Sequence, residues 1–250
     1  MIVAMHPPQL LPWLGVLDRM ARADLFVVVD HVPFERVAGR QVGVPSCHRA
    51  RYLLDGVPRW LTVPLLHRSP HERVADREVD HGASAVNRLA RADWGRAGFE
   101  SLQHAYRDAG FFPQHAAPVR ALLEARWTRF ADLALASMEL LREAFAVRTP
   151  MIRSSELGVR GGADELVLEV CRAAGARTYL AGSGGSRFGA DAGVLERAGI
   201  RVERRAFHHP VHVQCGNAPF VPGLSAIDAL FNCGPLAARL LRSEPLKAAA

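Results

Sequence analysis

Apolar and polar positions along the chain fall into blocks that switch between two periods. Ile2 to Met5 is a short unbroken apolar run that stops at His6-Pro7-Pro8. Leu10, Trp13, Leu14, Leu17, Met20 and Ala21 then recur at a helical spacing. The pattern predicts a buried strand, a tight turn carrying one polar side chain, and a helix packed back on the sheet. Asp24 to Asp30 is a second run, β-branched and aromatic, which suits a strand covered on both faces. It too ends in polar residues, Asp30 and His31. Val37 to Ser46 contains Gly39, Gly43 and Pro45 and has no period, so it reads as a loop that delivers Cys47-His48-Arg49-Ala50-Arg51. Asp55-Gly56 reads as a turn before a strand from Arg59 to Leu65. His67 to His81 is polar and charged, and reads as exposed.

The middle of the chain is helical. Val86 to Ala109 carries a one-sided apolar pattern through Leu89, Trp94, Phe99, Leu102 and Tyr106, ended by Gly110-Phe111-Phe112-Pro113. Val119 to Phe145 has no internal Gly or Pro and reads as one longer helix. Strand and helix patterns then alternate again. Pro150 to Arg153 leads to Ser154-Ser155-Glu156-Leu157, Asp164 to Ala174 is helical, and Arg177 to Ala181 is a strand running into Gly182-Ser183-Gly184-Gly185. A short helix, a last strand from Ile200 to Arg204, and two short helices at 225–231 and 236–241 complete the order. The expected fold is α/β: one domain over residues 1–250, a mostly parallel sheet flanked by helices, with a helical insert at about 86–146. Several strands end in small or polar residues, which places one composite site at one edge of the sheet, where ligands of open α/β sheets sit.

Composition narrows the field. The chain is 49% hydrophobic and 22% charged, the balance of a soluble globular protein. No apolar run reaches the roughly 18 residues of a membrane span, and no secretion signal is expected. Four cysteines, at 47, 171, 215 and 233, show no CxxC spacing, which points to free thiols in a reducing cytoplasm. The net charge is +6, carried by arginine, with Lys247 the only lysine. The arginines are scattered, with no stripe interleaved with stacking aromatics, so nucleic acid is not expected. An acidic partner or a phosphate-bearing ligand suits the charge better. His208, His209, His212 and Cys215 form a ligand-type group that no second cluster supports, so no metal is expected. Gly182 to Gly185 offers backbone donors to an anion but is not a GxGxxG fingerprint. A phosphopantetheine or sugar phosphate fits it better than a dinucleotide, and no cofactor is expected.

His6-Pro7-Pro8-Gln9-Leu10-Leu11-Pro12-Trp13-Leu14-Gly15 resembles the opening motif of the WbqC-like family. There a His-Gln-Pro or Met-Gln-Pro turn precedes an aromatic-rich Pro-Trp/Tyr-x-Gly stretch. The likeness continues through Phe26 to Phe34, Trp60 to Pro64, Ile152 to Leu157, Thr178 to Gly185 and Leu224 to Pro235, in order along essentially the whole chain. The resemblance implies a Rossmann-like α/β fold and a setting in glycan or natural-product biosynthesis. It does not imply a reaction. This chain departs from the family at Pro7, where Gln is usual, and at His31, where a second acidic residue is usual. His48-Arg49-Ala50-Arg51 stands for the family's Asn-Arg-Asn-Arg run, and a longer loop ending in Cys47 precedes it.

A cysteine in the loop facing His6 suggests nucleophilic catalysis, which needs a base within hydrogen-bond reach and an acceptor that orients the base. Cys47 as nucleophile, His6 as base and Glu35 as orienter form the expected set. His31 or His48 is an alternative to His6, and Asp30 or Glu156 to Glu35. Arg36, Arg49 and Arg51 would lower the thiol pKa if they surround it. Asp30, Ser154, Ser155, Glu156 and Ser183 are the expected substrate-binding residues. The combination resembles the amide-forming condensing enzymes of lincosamide antibiotic biosynthesis. That likeness implies acyl transfer from an aminoacyl thioester on an acidic carrier protein to an amine, sugar-like acceptor. Two other readings stand beside it: a sugar-nucleotide-dependent glycan-modifying transferase centred on Asp30 and the glycine loop, and a non-catalytic ligand-binding accessory protein. Each cysteine also has a bland reading, as an incidental loop thiol at 47 and as core or turn residues at 171 and 233.

Overall fold

A computed structural model of the chain describes residues 1–34, 46–66, 69, 72–82, 93–159, 163–182, 192–216 and 218–241. Strands β1 (Ile2–His6), β2 (Leu25–Val28), β5 (Met151–Arg153), β6 (Thr178–Gly182) and β7 (Arg201–Arg205) form one parallel sheet in the order β5-β2-β1-β6-β7. The chain starts at the central strand, steps outward through β2 to β5, then crosses back to β6 and β7. The order reverses between β1 and β6, the Rossmann-like arrangement that the resemblance implies. Val3, Ala4 and Met5 are consecutive and all buried, and so are Phe26, Val27 and Val28. Successive strand residues point to opposite faces, so both faces of the central strands are covered.

Helix α1 (Leu14–Ala21) returns the chain from β1 to β2 and buries Leu14, Val16, Leu17 and Met20. Helix α5 (Ala163–Ala173) buries Leu166, Val167, Val170 and Cys171. The strand expected at 59–65 is β4 (Val57–Thr62), and it pairs antiparallel with β3 (Arg49–Leu54), which the arginine-rich sequence does not reveal. Asp55 and Gly56 take φ of 50° and 75°, the left-handed pair of a two-residue hairpin turn.

The helical middle differs from expectation in two places. One long helix over 119–145 is instead α3 (Phe112–Glu124) and α4 (Phe130–Ala144). The break needs neither Gly nor Pro. Trp127 Nε1 donates to the Leu122 carbonyl at 2.8 Å, and the Thr128 carbonyl accepts from Val79 at 3.0 Å, so tertiary bonds replace helical ones. Phe112-Pro113 opens α3 rather than ending α2 (Trp94–Tyr106), since a proline in the first turn sacrifices no helical bond.

The segment 72–80, expected to be exposed, is a strap that buries Val74, Arg77, Val79 and Asp80 while Arg73 stays at the surface. Val74 and Ala75 donate to the carbonyls of Val32 and Asp30 at 2.9 and 2.8 Å, and Phe130 donates to the Arg77 carbonyl at 2.9 Å. Arg77 is buried over the Phe34 ring at 4.6 Å, ion-paired with Glu72 at 3.0 Å, and donates to the Leu66 carbonyl at 3.0 Å. Such a cation is tolerated inside because the Glu72 carboxylate and the Leu66 carbonyl meet it. Arg77→Ala strands the Glu72 carboxylate, and the expected loss is about 3–5 kcal/mol in urea unfolding. Arg73→Ala, which breaks an exposed pair with Asp76, should cost under about 1 kcal/mol.

Candidate functional site

His6 pairs with Val28, and Val28 with Arg153, so the carboxyl ends of β1, β2 and β5 are level. The next residues of β2 and β5 meet. Asp30 is fully buried. Its Oδ1 accepts from Ser154 Oγ at 3.0 Å and from the Ser155 backbone N–H at 3.1 Å, and its Oδ2 accepts from Ser155 Oγ at 2.8 Å. The 3₁₀ turn Ser154–Leu157 supplies all three donors. Its Glu156 is exposed and accepts from the Arg153 backbone N–H at 3.3 Å, so this carboxylate caps its own turn.

The Ser154 hydroxyl links Asp30 to His31. Its oxygen donates to Asp30 Oδ1, accepts from the Asp30 backbone N–H at 3.2 Å and faces His31 Nδ1 at 2.6 Å. In the tautomer that matches this donation, Nδ1 carries the proton and Nε2 the lone pair. Nε2 is shielded from solvent and has no hydrogen-bond partner among the described residues. Desolvation lowers the His31 pKa, with Asp30 opposing and Arg73 assisting. A neutral imidazole with one oriented lone pair is the form a general base requires.

The expected Cys47–His6 pair does not assemble. The loop end does reach the opening turn, but through its backbone: the Cys47 carbonyl accepts from Leu10 at 2.9 Å. The thiol is buried in the core cluster, and desolvation pushes its pKa well up, against the smaller opposing effect of Arg77. Among the described residues no imidazole is hydrogen-bonded to its sulfur. Arg49 and Arg51, expected to draw the thiol toward thiolate, instead lie over the Trp60 ring at 4.6 and 5.8 Å. His6 Nδ1 faces the Pro7 carbonyl at 2.8 Å, and the His48 ring lies tilted against Phe34 at 5.3 Å. Glu35, Arg36 and Ser183 lie outside the described residues.

A second polar cluster escaped the sequence reading. Asp228, buried on helix α7 (Ala226–Cys233), accepts from Tyr106 Oη at 3.1 Å and from Gln214 Nε2 at 2.9 Å, and faces His212 Nε2 at 2.9 Å. It fastens the segment 207–221 to α7. His209 of that segment stacks on Trp13 at 5.2 Å, and Phe207 meets the same ring edge-on at 5.4 Å. A β-carbon on Gly15 would sit 2.3 Å from the Trp13 indole, so the Trp-x-Gly spacing makes room for the ring. The histidines at 209 and 212 are thus engaged in packing and in the Asp228 cluster. Among the described residues no group of three or more His, Cys, Asp or Glu is arranged to hold a metal ion. No helix among them is long and apolar enough to cross a membrane.

The charge state of His31 has a direct test. In NMR titration the His31 ring should titrate below the ordinary value of about 6.5. A folded pKa below the unfolded one means that stability falls as pH drops below about 6.5, because the unfolded chain then binds more protons. A midpoint at or above 6.5 would contradict the neutral ring.

Residues 7–240 match the WbqC-like protein family. The chain is similar to an uncharacterised protein of Mycobacterium tuberculosis, Rv1507c, at 24% identity over 244 residues, covering 96% of this chain and 97% of that one. No solved structure matches the chain.

Proposed function

The chain belongs to the WbqC-like family, and on that premise we propose that it is a group-transfer enzyme that acylates an amine from a carrier-protein thioester, with His31 Nε2 as general base. The Asp30–Ser154–His31 chain carries this reading, because it delivers one unpartnered imidazole lone pair at the carboxyl edge of the sheet. The acyl donor is inferred from the resemblance to the lincosamide condensing enzymes. Net positive charge suits an acidic carrier protein.

The amine nitrogen attacks the thioester carbonyl, forming the N–C bond as the C–S bond breaks. The proton lost by nitrogen passes to His31 Nε2 and then to the departing thiolate. Asp30 acts through Ser154 to hold the ring and to stabilise the imidazolium, so both are positioning residues. The acyl group moves directly to the amine, because the Cys47 thiol is buried and held protonated. No nucleotide is consumed, since the thioester is already activated.

The same base would serve a hydroxyl acceptor attacking a sugar nucleotide. The reversal of strand order beside β1 favours that second reading, since such crevices take phosphate-bearing ligands.

Both readings are tested with an aminoacyl carrier-protein thioester, a panel of amino sugars, and product detection by mass spectrometry. His31→Gln should lower turnover by about 10²–10⁴-fold with an unchanged circular dichroism spectrum. Cys47→Ala should keep wild-type turnover, and intact-protein mass should show no acyl adduct. An adduct on Cys47, or an inactive Cys47→Ala, would overturn direct transfer and restore the cysteine as nucleophile. Turnover of a sugar nucleotide alone would favour the second reading. Failure of every donor would leave a ligand-binding protein.

A further inference from the structure

Arg19 is a cation that the His31 site does not use. It stands on α1, which begins at the turn after β1 and runs back along the sheet. Helix side chains lean toward the helix N-terminus, so Arg19 leans toward the carboxyl ends of the strands. Its guanidinium reaches Gly182, the last residue of β6. A β-carbon at 182 would lie 2.7 Å from one terminal nitrogen (Nη1) and 3.2 Å from Cζ of Arg19. A side chain at 182 would therefore have to displace the guanidinium. Ala4 pairs with Leu180, which puts Gly182 level with His6 across the sheet. The guanidinium thus stands at the carboxyl end of β6, beside the point where the strand order reverses, which is where open α/β sheets take ligands.

No carboxylate matches this cation among the described residues. Asp18, its neighbour in the chain, is bonded to Arg22 Nε at 2.7 Å. Tyr179, the other nearby group, is a phenol whose pKa burial pushes up to about 12, and it offers no charge at neutral pH. Desolvation lowers the pKa of Arg19 itself, as expected for a cation withdrawn from water without a matched anion. A guanidinium presents a planar fork of donors that fits two oxygens of a phosphate at once.

We propose that Arg19, seated against Gly182 at the carboxyl end of β6, is the anion subsite that binds a phosphate ester of the donor. The inference deepens the function proposed above and rests on it only for the identity of that donor. A phosphopantetheine arm and a nucleotide diphosphate present the same oxyanions, and the arms of the experiment separate them.

Calorimetry on the full chain would use inorganic pyrophosphate, pantetheine 4′-phosphate and uridine diphosphate, with pantetheine and uridine as phosphate-free counterparts. The wild type should bind phosphate-bearing probes, and Arg19→Gln should weaken them at least about tenfold. Pantetheine and uridine should bind both forms alike. Gly182→Ala, which pushes the guanidinium aside by a different route, should weaken the same probes, and thermal unfolding should show both variants folded. Arg19→Lys, with the charge but not the fork, should fall between. The proposal is overturned if the wild type binds none of the three phosphate probes, or if Arg19→Gln binds them as the wild type does. His31→Gln should leave phosphate binding within about twofold while removing turnover. Arg19-dependent binding without acyl transfer would therefore sink the thioester reading alone. A preference for uridine diphosphate over pantetheine 4′-phosphate would name the nucleotide as the donor.

Discussion

A carboxylate buried to the last atom is the constraint on which this edge of the molecule depends. Asp30 sits where water cannot reach it, so its oxygens must be satisfied by protein donors or the fold loses several kcal/mol. All three donors come from the turn after β5, a segment more than a hundred residues away in the chain. The backbone of Asp30 is committed as well: its N–H goes to Ser154 and its carbonyl accepts from Ala75 of the strap. The ends of β2 and β5 and the 72–80 strap are thereby tied to one residue. The His31 ring is held by the same residue, through the 2.6 Å contact of its Nδ1 with Ser154 Oγ.

The strap explains how a charged stretch comes to bury Arg77 and Asp80. Residues 72–80 bond to Val32 and Phe34 on one side and to Thr128 and Phe130 on the other, bridging the insert to the end of β2. Arg77 fills the gap with its guanidinium over Phe34, and Phe34 in turn meets Phe130 edge-on at 6.4 Å. Ser137 on α4 does the same for the opening turn, accepting from the Leu11 N–H at 2.9 Å and lying with its one hydroxyl proton between the Ala134 carbonyl at 2.7 Å and the Gln9 carbonyl at 3.1 Å. The helical insert therefore braces both turns that flank the site.

How much of this was legible depended on whether the signal was local. Runs such as Ile2–Met5 and Leu25–Val29 declare their burial by composition, and the β1–α1–β2 unit and the parallel sheet follow from them. That Asp30, Ser154 and Ser155 lie together could be read as well, because each follows the polar end of a strand. What was not legible were bonds between distant segments. The break at 125–129 lacks Gly and Pro because it is made by Trp127 and by Val79, and no helical period records that. Arg77 and Asp228 look like surface charges in a string of letters, and only the partners folded around them make them interior. Cys47 failed for the same reason: arginines adjacent in sequence suggested a thiolate, whereas desolvation, which is set by the fold, dominates its pKa.

The sheet order divides the edge into two halves with different chemistry. On the β2 side stands His31, the proposed base, held through Ser154 by Asp30. On the β6 side stands Arg19, ion-paired with no carboxylate among the described residues. Two strand spacings separate β2 from β6, about 10 Å, and β1 with His6 at its end lies between them. A base beside the cation would lose affinity for its proton through repulsion, and an anionic ligand placed against Asp30 would be repelled in turn. Keeping one strand between the two lets a ligand lay its charged end on Arg19 and its reacting end toward His31. A central strand ending in His6 is then the floor across which such a ligand would lie. That makes the first strand and turn of the chain the hinge of the site's geometry, although the base and the cation belong to its neighbours.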